Sequence, residues 1–359
     1  MFTERMSVGL DVHARSVVAA AIDGDTGELF KERLVASNDV IVSWVKAMPS
    51  PAAVTYEAGP TGFGLARAMA DAGLRCEVAA PSKLVRPAGD RVKTDAKDAV
   101  LLARLLRIDE IVSVRVPSVT EEAARDLVRA REDVRGDLMR ARHRVSKLLL
   151  RHGHVYYGGK AWTGKHEAWL RSIRLDLPGT RAAYEADVEA VMFAVQRRAR
   201  LDATIAEMAA DSEFTPVTRR LCCLRGVSTL TGFALAVEIG DWDRFTGASI
   251  GAYLGLVPSE HSSGESRRQG GITKSGNTHA RRLLAEAAWH HKPRYAVGAV
   301  MKARWEQASP AARARGHAGN QRLHHKWVGY TARNKKHTVA NAAIARELAG
   351  WCWSLATLE

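Results

Sequence analysis

A carboxylate in the middle of an apolar strand is the feature that most restricts how this chain can fold. Asp11 lies in Ser7-Val8-Gly9-Leu10-Asp11-Val12-His13, and Glu57 ends the apolar run Ala53-Val54-Thr55-Tyr56-Glu57, just before Ala58-Gly59-Pro60-Thr61-Gly62. Burying an ionised carboxylate is costly unless its charge is compensated. Asp95 and Asp98 follow in Lys93-Thr94-Asp95-Ala96-Lys97-Asp98-Ala99, at the start of an apolar helical pattern. At that spacing both project from one helical face, although either one alone is an ordinary favourable charge at a helix N-terminus. Four acids converging on one place call for a cation. Two Mg²⁺ ions about 4 Å apart activate an attacking oxygen and stabilise a leaving one at a phosphodiester, and carboxylate oxygens are the ligands that hard Mg²⁺ prefers. Asp11, Glu57, Asp95 and Asp98 are therefore the candidate catalytic and metal-ligating residues of a magnesium enzyme acting on phosphate, with Mn²⁺ as a substitute ion. His13 reads as their neighbour rather than as a ligand.

The surrounding pattern is α/β. Residues 7–13, 16–22 and 29–35 are β-rich, with the turn Asp23-Gly24-Asp25-Thr26-Gly27 before the third strand. A helix near 38–48, the Glu57 strand, a helix near 62–72, a strand at 75–79 and a helix over 95–107 complete a layered α/β domain, placed at 1–117. From about 119 the pattern becomes long and helical. Leu127, Val134, Ala141 and Leu148 recur every seven residues, and Ala124, Leu138 and Val145 supply most of a second seam, interrupted at Arg131. A further helical stretch runs over 182–210. This coiled-coil arm, placed at 118–212, fits either an internal helical hairpin or a dimerisation arm. Residues 213–359 read as a mostly α-helical C-terminal domain. Within it, Leu224-Arg225-Gly226-Val227-Ser228-Thr229-Leu230-Thr231-Gly232 resembles a helix–hairpin–helix turn, either contacting a phosphate through backbone N–H groups or serving only to pack two helices.

Charge divides along the same boundaries. The chain carries a net +14. Residues 1–110 hold 14 Lys/Arg against 15 Asp/Glu, whereas residues 214–359 hold 21 against 9. That asymmetry suits metal chemistry at one end and a grip on a polyanion at the other. Uninterrupted apolar runs such as Val17–Ile22 are far too short for a membrane span, and no apolar segment of signal-peptide length opens the chain. Cys76, Cys222, Cys223 and Cys352 include no C-x-x-C pair, so a reduced, cytoplasmic setting is expected.

A second chemically loaded stretch is Gly255–Asn277, in which 23 positions hold five serines, five glycines and the cations Arg267, Arg268 and Lys274. Glycine is entropically costly in an ordered loop, and close backbone approach to a phosphate is its natural use here. A serine in this stretch can act as a nucleophile with the cations stabilising developing charge, or simply form a turn. Arg281 and Arg282 on the following helix, and Lys335 and Lys336 in the run Arg333-Asn334-Lys335-Lys336-His337, are further candidates for nucleic-acid contact.

The three acidic motifs, Gly9-Leu10-Asp11-Val12-His13, Tyr56-Glu57-Ala58-Gly59-Pro60-Thr61-Gly62 and Lys93-Thr94-Asp95-Ala96-Lys97-Asp98-Ala99, resemble those of the DEDD insertion-sequence transposases, the "IS one-ten" family. Gly226 through Asp241 and Tyr253 through Asn277 resemble that family's C-terminal transposase domain, so the likeness covers nearly the whole chain in the expected order. The resemblance implies an N-terminal RuvC-like domain of RNase H fold with its four acids at Asp11, Glu57, Asp95 and Asp98. It also implies a catalytic serine at Ser263, with Ser262 the adjacent competitor, that joins covalently to a DNA strand. The implied partners are donor and target DNA, a structured guide (bridge) RNA from the element, and further copies of the chain, a dimer through the helical arm assembling to a tetramer. The implied setting is the bacterial nucleoid. Ser228 and Gly232 depart from the family, which commonly has glycine and alanine there. The rival readings are a RuvC-like junction-resolving nuclease using the acids alone, a sugar or acetate kinase-type ATPase, which the helical, basic second half disfavours, and a binding protein without catalysis, which the four acids disfavour.

Overall fold

The computed structural model describes residues 4–85, 94–260, 266 and 268–358 and divides into two units, Met1–Ser118 and Val119–Glu359. The first is built on strands β1 (Met6–Val12), β2 (Ser16–Asp23), β3 (Leu29–Val35), β4 (Ala52–Glu57) and β5 (Arg75–Ala79), with helices α1 (Asn38–Lys46), α2 (Gly64–Asp71) and α3 (Asp95–Arg107). The sheet order is β3-β2-β1-β4-β5. β1, β2 and β3 are antiparallel neighbours, while β1, β4 and β5 run parallel.

β1 is central, so both of its faces are covered, which explains its nearly continuous apolar run. Alternate side chains point to opposite faces. Val8, Leu10, Val54 and Tyr56 pack with Ile41 and Val45 of α1 and Leu65 and Met69 of α2. On the other face, Val18 and Ala20 meet Ala99 and Val100 of α3. Gly9 also lies on that side. A Cβ there would sit 2.2 Å from the Ala99 carbonyl oxygen and 2.4 Å from the Ala103 nitrogen, so α3 rests directly on the strand backbone.

The second unit is helical, with α4 (Val119–Arg151), α5 (Gly164–Ser172), α6 (Pro178–Ala210), α7 (Thr215–Leu221), α8 (Thr229–Ile239), α9 (Ser249–Tyr253), α10 (Thr278–Ala288), α11 (Ala299–Glu306), α12 (Pro310–Ala332) and α13 (His337–Ala356). A two-stranded antiparallel sheet, β6 (Pro258–Glu260) and β7 (Gln269–Ile272), is the one strand pair of this unit among the described residues. The seven-residue seam of α4 is filled within the chain: Leu138, Ala141, Val145 and Leu148 pack with Tyr184, Val191 and Ala194 of α6. The two helices are antiparallel, because Arg131 meets Asp202 (2.7 Å) while Arg144 meets Asp187 (3.1 Å). Arg131, which interrupts the apolar seam in sequence, is thus a cross-helix ion pair. α6 begins four residues before the expected start, with Pro178 at its first turn, a position that needs no N–H.

No helix among the described residues is long and apolar enough to cross a membrane. Gly9→Ala is expected to destabilise the first unit by about 1–3 kcal/mol, the cost of forcing a methyl into close-packed backbone. A lowered urea midpoint with unchanged slope on denaturation of the full chain would show it.

Candidate functional site

Leu10 and Tyr56 are direct neighbours on the parallel strands β1 and β4, and both point into the α1–α2 side of the sheet. Asp11 and Glu57, one residue further along, therefore turn to the α3 side. α3 begins there, with Asp95 and Asp98 in its first turn and Thr94 capping it by accepting the Lys97 N–H at 3.3 Å. The acids end the helix favourably, while Arg104 and Arg107 complement its last turn.

Within this corner, Asp11, His13 and Asp95 bring ligand atoms within 4.8 Å of one another, a grouping that can hold a metal ion. His13 Nε2 is 3.1 Å from Asp11 Oδ2 and 3.9 Å from Asp95 Oδ1, and Arg33 Nη2 is 3.7 Å from Asp95 Oδ2. Glu57 and Asp98 fall outside that tight group. Burial raises the Asp11 carboxyl above its ordinary value; the His13 contact opposes the rise, and the Asp95 and Asp98 charges add to it. Like charges held this close are what a divalent cation relieves, and the carboxylate oxygens suit a hard one. A shallow depression of about 570 Å³ opens beside the group, lined by Lys31 and Arg33 of β3 together with Thr94 and Asp95. The sequence pattern alone makes His13 a bystander. The structure makes it the residue that bridges two of the acids, and its spacing two residues after Asp11 was the available signal.

In the second unit the Gly/Ser-rich stretch is clamped at its base. Lys274 N–H donates to the Gly255 carbonyl at 3.1 Å and Thr273 N–H to that of Val257 at 2.9 Å. Gly276, at φ +69°, lies so close to Tyr253 that a Cβ would meet its carbonyl oxygen at 1.9 Å. Arg281 donates to the carbonyls of Leu254 (3.0 Å) and Ser275 (2.6 Å), so this cation serves the clamp. Arg282 is engaged by Glu132 and Glu286. Arg268, Lys274, Lys335 and Lys336 are exposed. Ser262, Ser263 and Arg267 lie outside the described residues. Ser228, at the expected hairpin, caps α8 by accepting the Thr231 N–H at 3.3 Å.

Beneath the clamp sits Glu238 of α8, whose side chain is wholly buried. It accepts from Arg129 of α4 (3.1 and 3.0 Å), from Asn277 (2.7 Å) and from His279 (3.0 Å). Asn277 in turn caps α10 by accepting the Ala280 N–H at 2.9 Å. Burial alone would raise the Glu238 carboxyl, but the bonds from His279, Arg129 and Asn277 outweigh it and bring it down to about 2. Sequence reasoning passed over Glu238, a lone acid in an apolar helix, which was signal enough.

Two family models match the chain. One described as "Transposase IS116/IS110/IS902 family" covers residues 218–306, and one described as "Transposase" covers 8–153. The chain is 38% identical to a "Putative transposase y4qE" of Sinorhizobium fredii over 97% of its own length and 88% of that protein. It is 28% identical to the "Transposase for insertion sequence element IS1533" of Leptospira borgpetersenii, over 92% of this chain and 98% of that one. A "Probable family 20 transposase" of Pseudomonas aeruginosa is 27% identical over 66% of this chain and 70% of its own. A corner of strand-borne and helix-borne acids on a mixed sheet, joined to a basic helical unit, is the frame of an enzyme that handles nucleic acid. The chain belongs to the IS110-type family of insertion-sequence transposases, and membership carries DNA-cutting and DNA-rejoining activity in general.

Two outcomes are expected. Mn²⁺ at about a hundred times its Kd should stabilise the full chain by about 2.7 kcal/mol, read as a rise in unfolding midpoint that Asp11→Asn abolishes. In acid, Glu238 and His291 act together. His291 is fully buried and held down to about 3 by burial and the nearby Arg225. Both folded values lie below the unfolded ones, so each contribution is present at neutral pH and lost as pH falls, from 6.5 towards 3 for His291 and from 4.5 towards 2 for Glu238. Glu238→Gln should cost on the order of 3 kcal/mol at pH 7 and flatten the lower of the two declines in a pH series of urea melts.

Proposed function

We propose that this transposase cuts and exchanges DNA strands through a serine nucleophile assisted by a divalent-metal site, with a structured RNA selecting donor and target. The observation that carries the metal half is the Asp11–His13–Asp95 group at the corner where Glu57 ends β4 and Asp98 lies in the first turn of α3. Asp11, Glu57, Asp95 and Asp98 would hold Mg²⁺, or Mn²⁺ in its place. When bound, such an ion neutralises charge on phosphate oxygens and favours an ionised oxygen nucleophile. The sheet order β3-β2-β1-β4-β5 with its antiparallel and parallel halves supports an RNase H-like, RuvC-like assignment.

Ser263 is the nucleophile of this reading, supported by the family resemblance and by its place in the Gly/Ser-rich stretch. Its hydroxyl oxygen attacks phosphorus and loses its proton, and the phosphorus–oxygen bond of the strand breaks, releasing a strand hydroxyl. The phosphoserine ester keeps the phosphodiester's bond energy, so a hydroxyl from another strand can attack it, re-form the backbone and restore the serine without a nucleotide cofactor. Lys274 and Arg268, both exposed near the clamp, are suited to holding phosphate. The α4–α6 hairpin is proposed to join protomers through apolar side chains left exposed on it, including Met139, Met192 and Phe193, in a dimer that assembles to a tetramer.

The test is a trapping assay with the protein, the RNA transcribed from the element's flank, Mg²⁺ and labelled donor and target DNA, resolved under denaturing conditions. A protein–DNA adduct present in wild type and Ser262→Ala but absent in Ser263→Ala is the expected result. Strand exchange without an adduct, undiminished in Ser263→Ala and lost in Asp11→Ala, would instead assign the chemistry to the acids alone, as in a junction-resolving nuclease.

A further inference from the structure

Between Glu306 and Glu347 the chain has eight Lys/Arg and no acid. This stretch forms α12 and the first half of α13, which pack together through Leu323, Ile344 and their neighbours in the main core of the second unit. Gly319 of α12 brings the helices close enough that a Cβ would lie 2.9 Å from the Trp351 ring. Outside that contact, the two helices and β7 enclose an open groove of about 1090 Å³.

The groove has two kinds of wall. Arg315, Arg322, Lys326 and Arg346 supply four cations against Glu347, the one carboxylate among the described residues that line it. Glu347 is engaged by Arg322 at 2.6 Å and by Lys326, so it orders two cations. The other wall is aromatic: Tyr330, Trp351 and Trp353. The Arg315 guanidinium lies 4.6 Å from the Trp351 ring centroid and is steered there by a 2.7 Å bond from its Nε to Ser354 Oγ. Arg333 covers Tyr330 in the same way at 5.2 Å. On the far side of α12, Arg322 and Lys326 also border a depression of about 850 Å³ with Arg294, His324, His325 and Arg333, and no carboxylate among the described residues lines it. The cationic track therefore continues over the helix.

We propose that this groove binds single-stranded nucleic acid, taking phosphates on Arg315, Arg322, Lys326 and Arg346 and unpaired bases on the aromatic wall. A duplex presents phosphates and hides its base faces, so a cationic ridge alone would serve it. Flat aromatic and guanidinium faces interleaved with cations match a strand whose bases are free to stack. The cations and aromatic rings that would hold the strand lie outside the Gly/Ser-rich stretch and the acidic corner, although β7 of that stretch borders the groove. The inference shares with the proposed function only the premise that the ligand is nucleic acid.

The test is fluorescence anisotropy on the full chain in EDTA, so that no strand is cut, with labelled 15-residue uridine and thymidine homopolymers and a 15-base-pair duplex. Arg315→Ala/Arg346→Ala should weaken single-strand binding tenfold or more. It should also lower the log–log salt slope by about 1.4, at about 0.7 for each phosphate that is no longer neutralised, with duplex binding changed less than twofold. Tyr330→Leu, which keeps apolar bulk, should weaken single-strand binding at least about fivefold, the low end for removal of one base stack, with the slope unchanged. The homopolymer bound more tightly identifies RNA or DNA as the source. Unchanged single-strand affinity in both variants, or equal loss for duplex and single strands, would overturn the proposal. Because the assay excludes metal and cleavage, its failure leaves the trapping experiment standing, and failure there leaves the groove standing.

Discussion

The acidic corner depends on how closely one helix can approach one strand. α3 lies on β1 with backbone against backbone at Gly9, and no residue with a Cβ leaves room for that. The approach is what carries the first turn of α3 to the C-terminal end of β1, where Asp95 comes within reach of Asp11 and His13. Parallel pairing of β1 with β4 then sets Glu57 beside the same end. Two of the three acidic motifs thus meet, and the third ends beside them, because of a sheet register and a single glycine contact. The electrostatic consequence is an Asp11 carboxyl raised by burial, a rise that His13 opposes and the acidic neighbours reinforce.

The second unit solves the opposite problem. There a buried carboxylate is fully provided with partners: Glu238 accepts from α4, from the N-cap of α10 and from His279. Breaking such a pair costs far more than forming it gains, since the remaining charge is left in a poorly solvating interior. The network therefore acts mainly as a fixed point. It sets the first turn of α10 against α8, and the clamp formed by Arg281, Gly276 and the strand pair β6–β7 closes the base of the Gly/Ser-rich stretch above it.

Much of the first unit could be read directly, because strand and helix periods differ and its elements are short and punctuated. Each of its strands and helices ends within about two residues of the pattern-based expectation. The second unit was less legible. Its long seam was visible, but periodicity describes one helix and not its partner; only the ion pairs Arg131–Asp202 and Arg144–Asp187 show that α6 fills it in antiparallel fashion. The helix α12 is hard to read in sequence because small residues and cations alternate along it without a clean apolar stripe. Arg281 and Arg282, read as candidates for nucleic-acid contact, are held by carbonyls and carboxylates, partners that a basic residue's sequence neighbours do not reveal.

By itself, the sequence marked the candidates for the chemistry: acids placed where an apolar strand tolerates them only for a reason, a serine- and glycine-rich stretch with cations, and a basic C-terminal half. These are local properties, set by residue type and period. Tertiary structure decided which of them meet. His13 joins Asp11 to Asp95, Glu238 gathers three partners from distant segments, and the cations of α12 acquire an aromatic wall from α13. Such meetings depend on register, crossing and close approach between segments far apart in the chain, quantities that no local pattern carries.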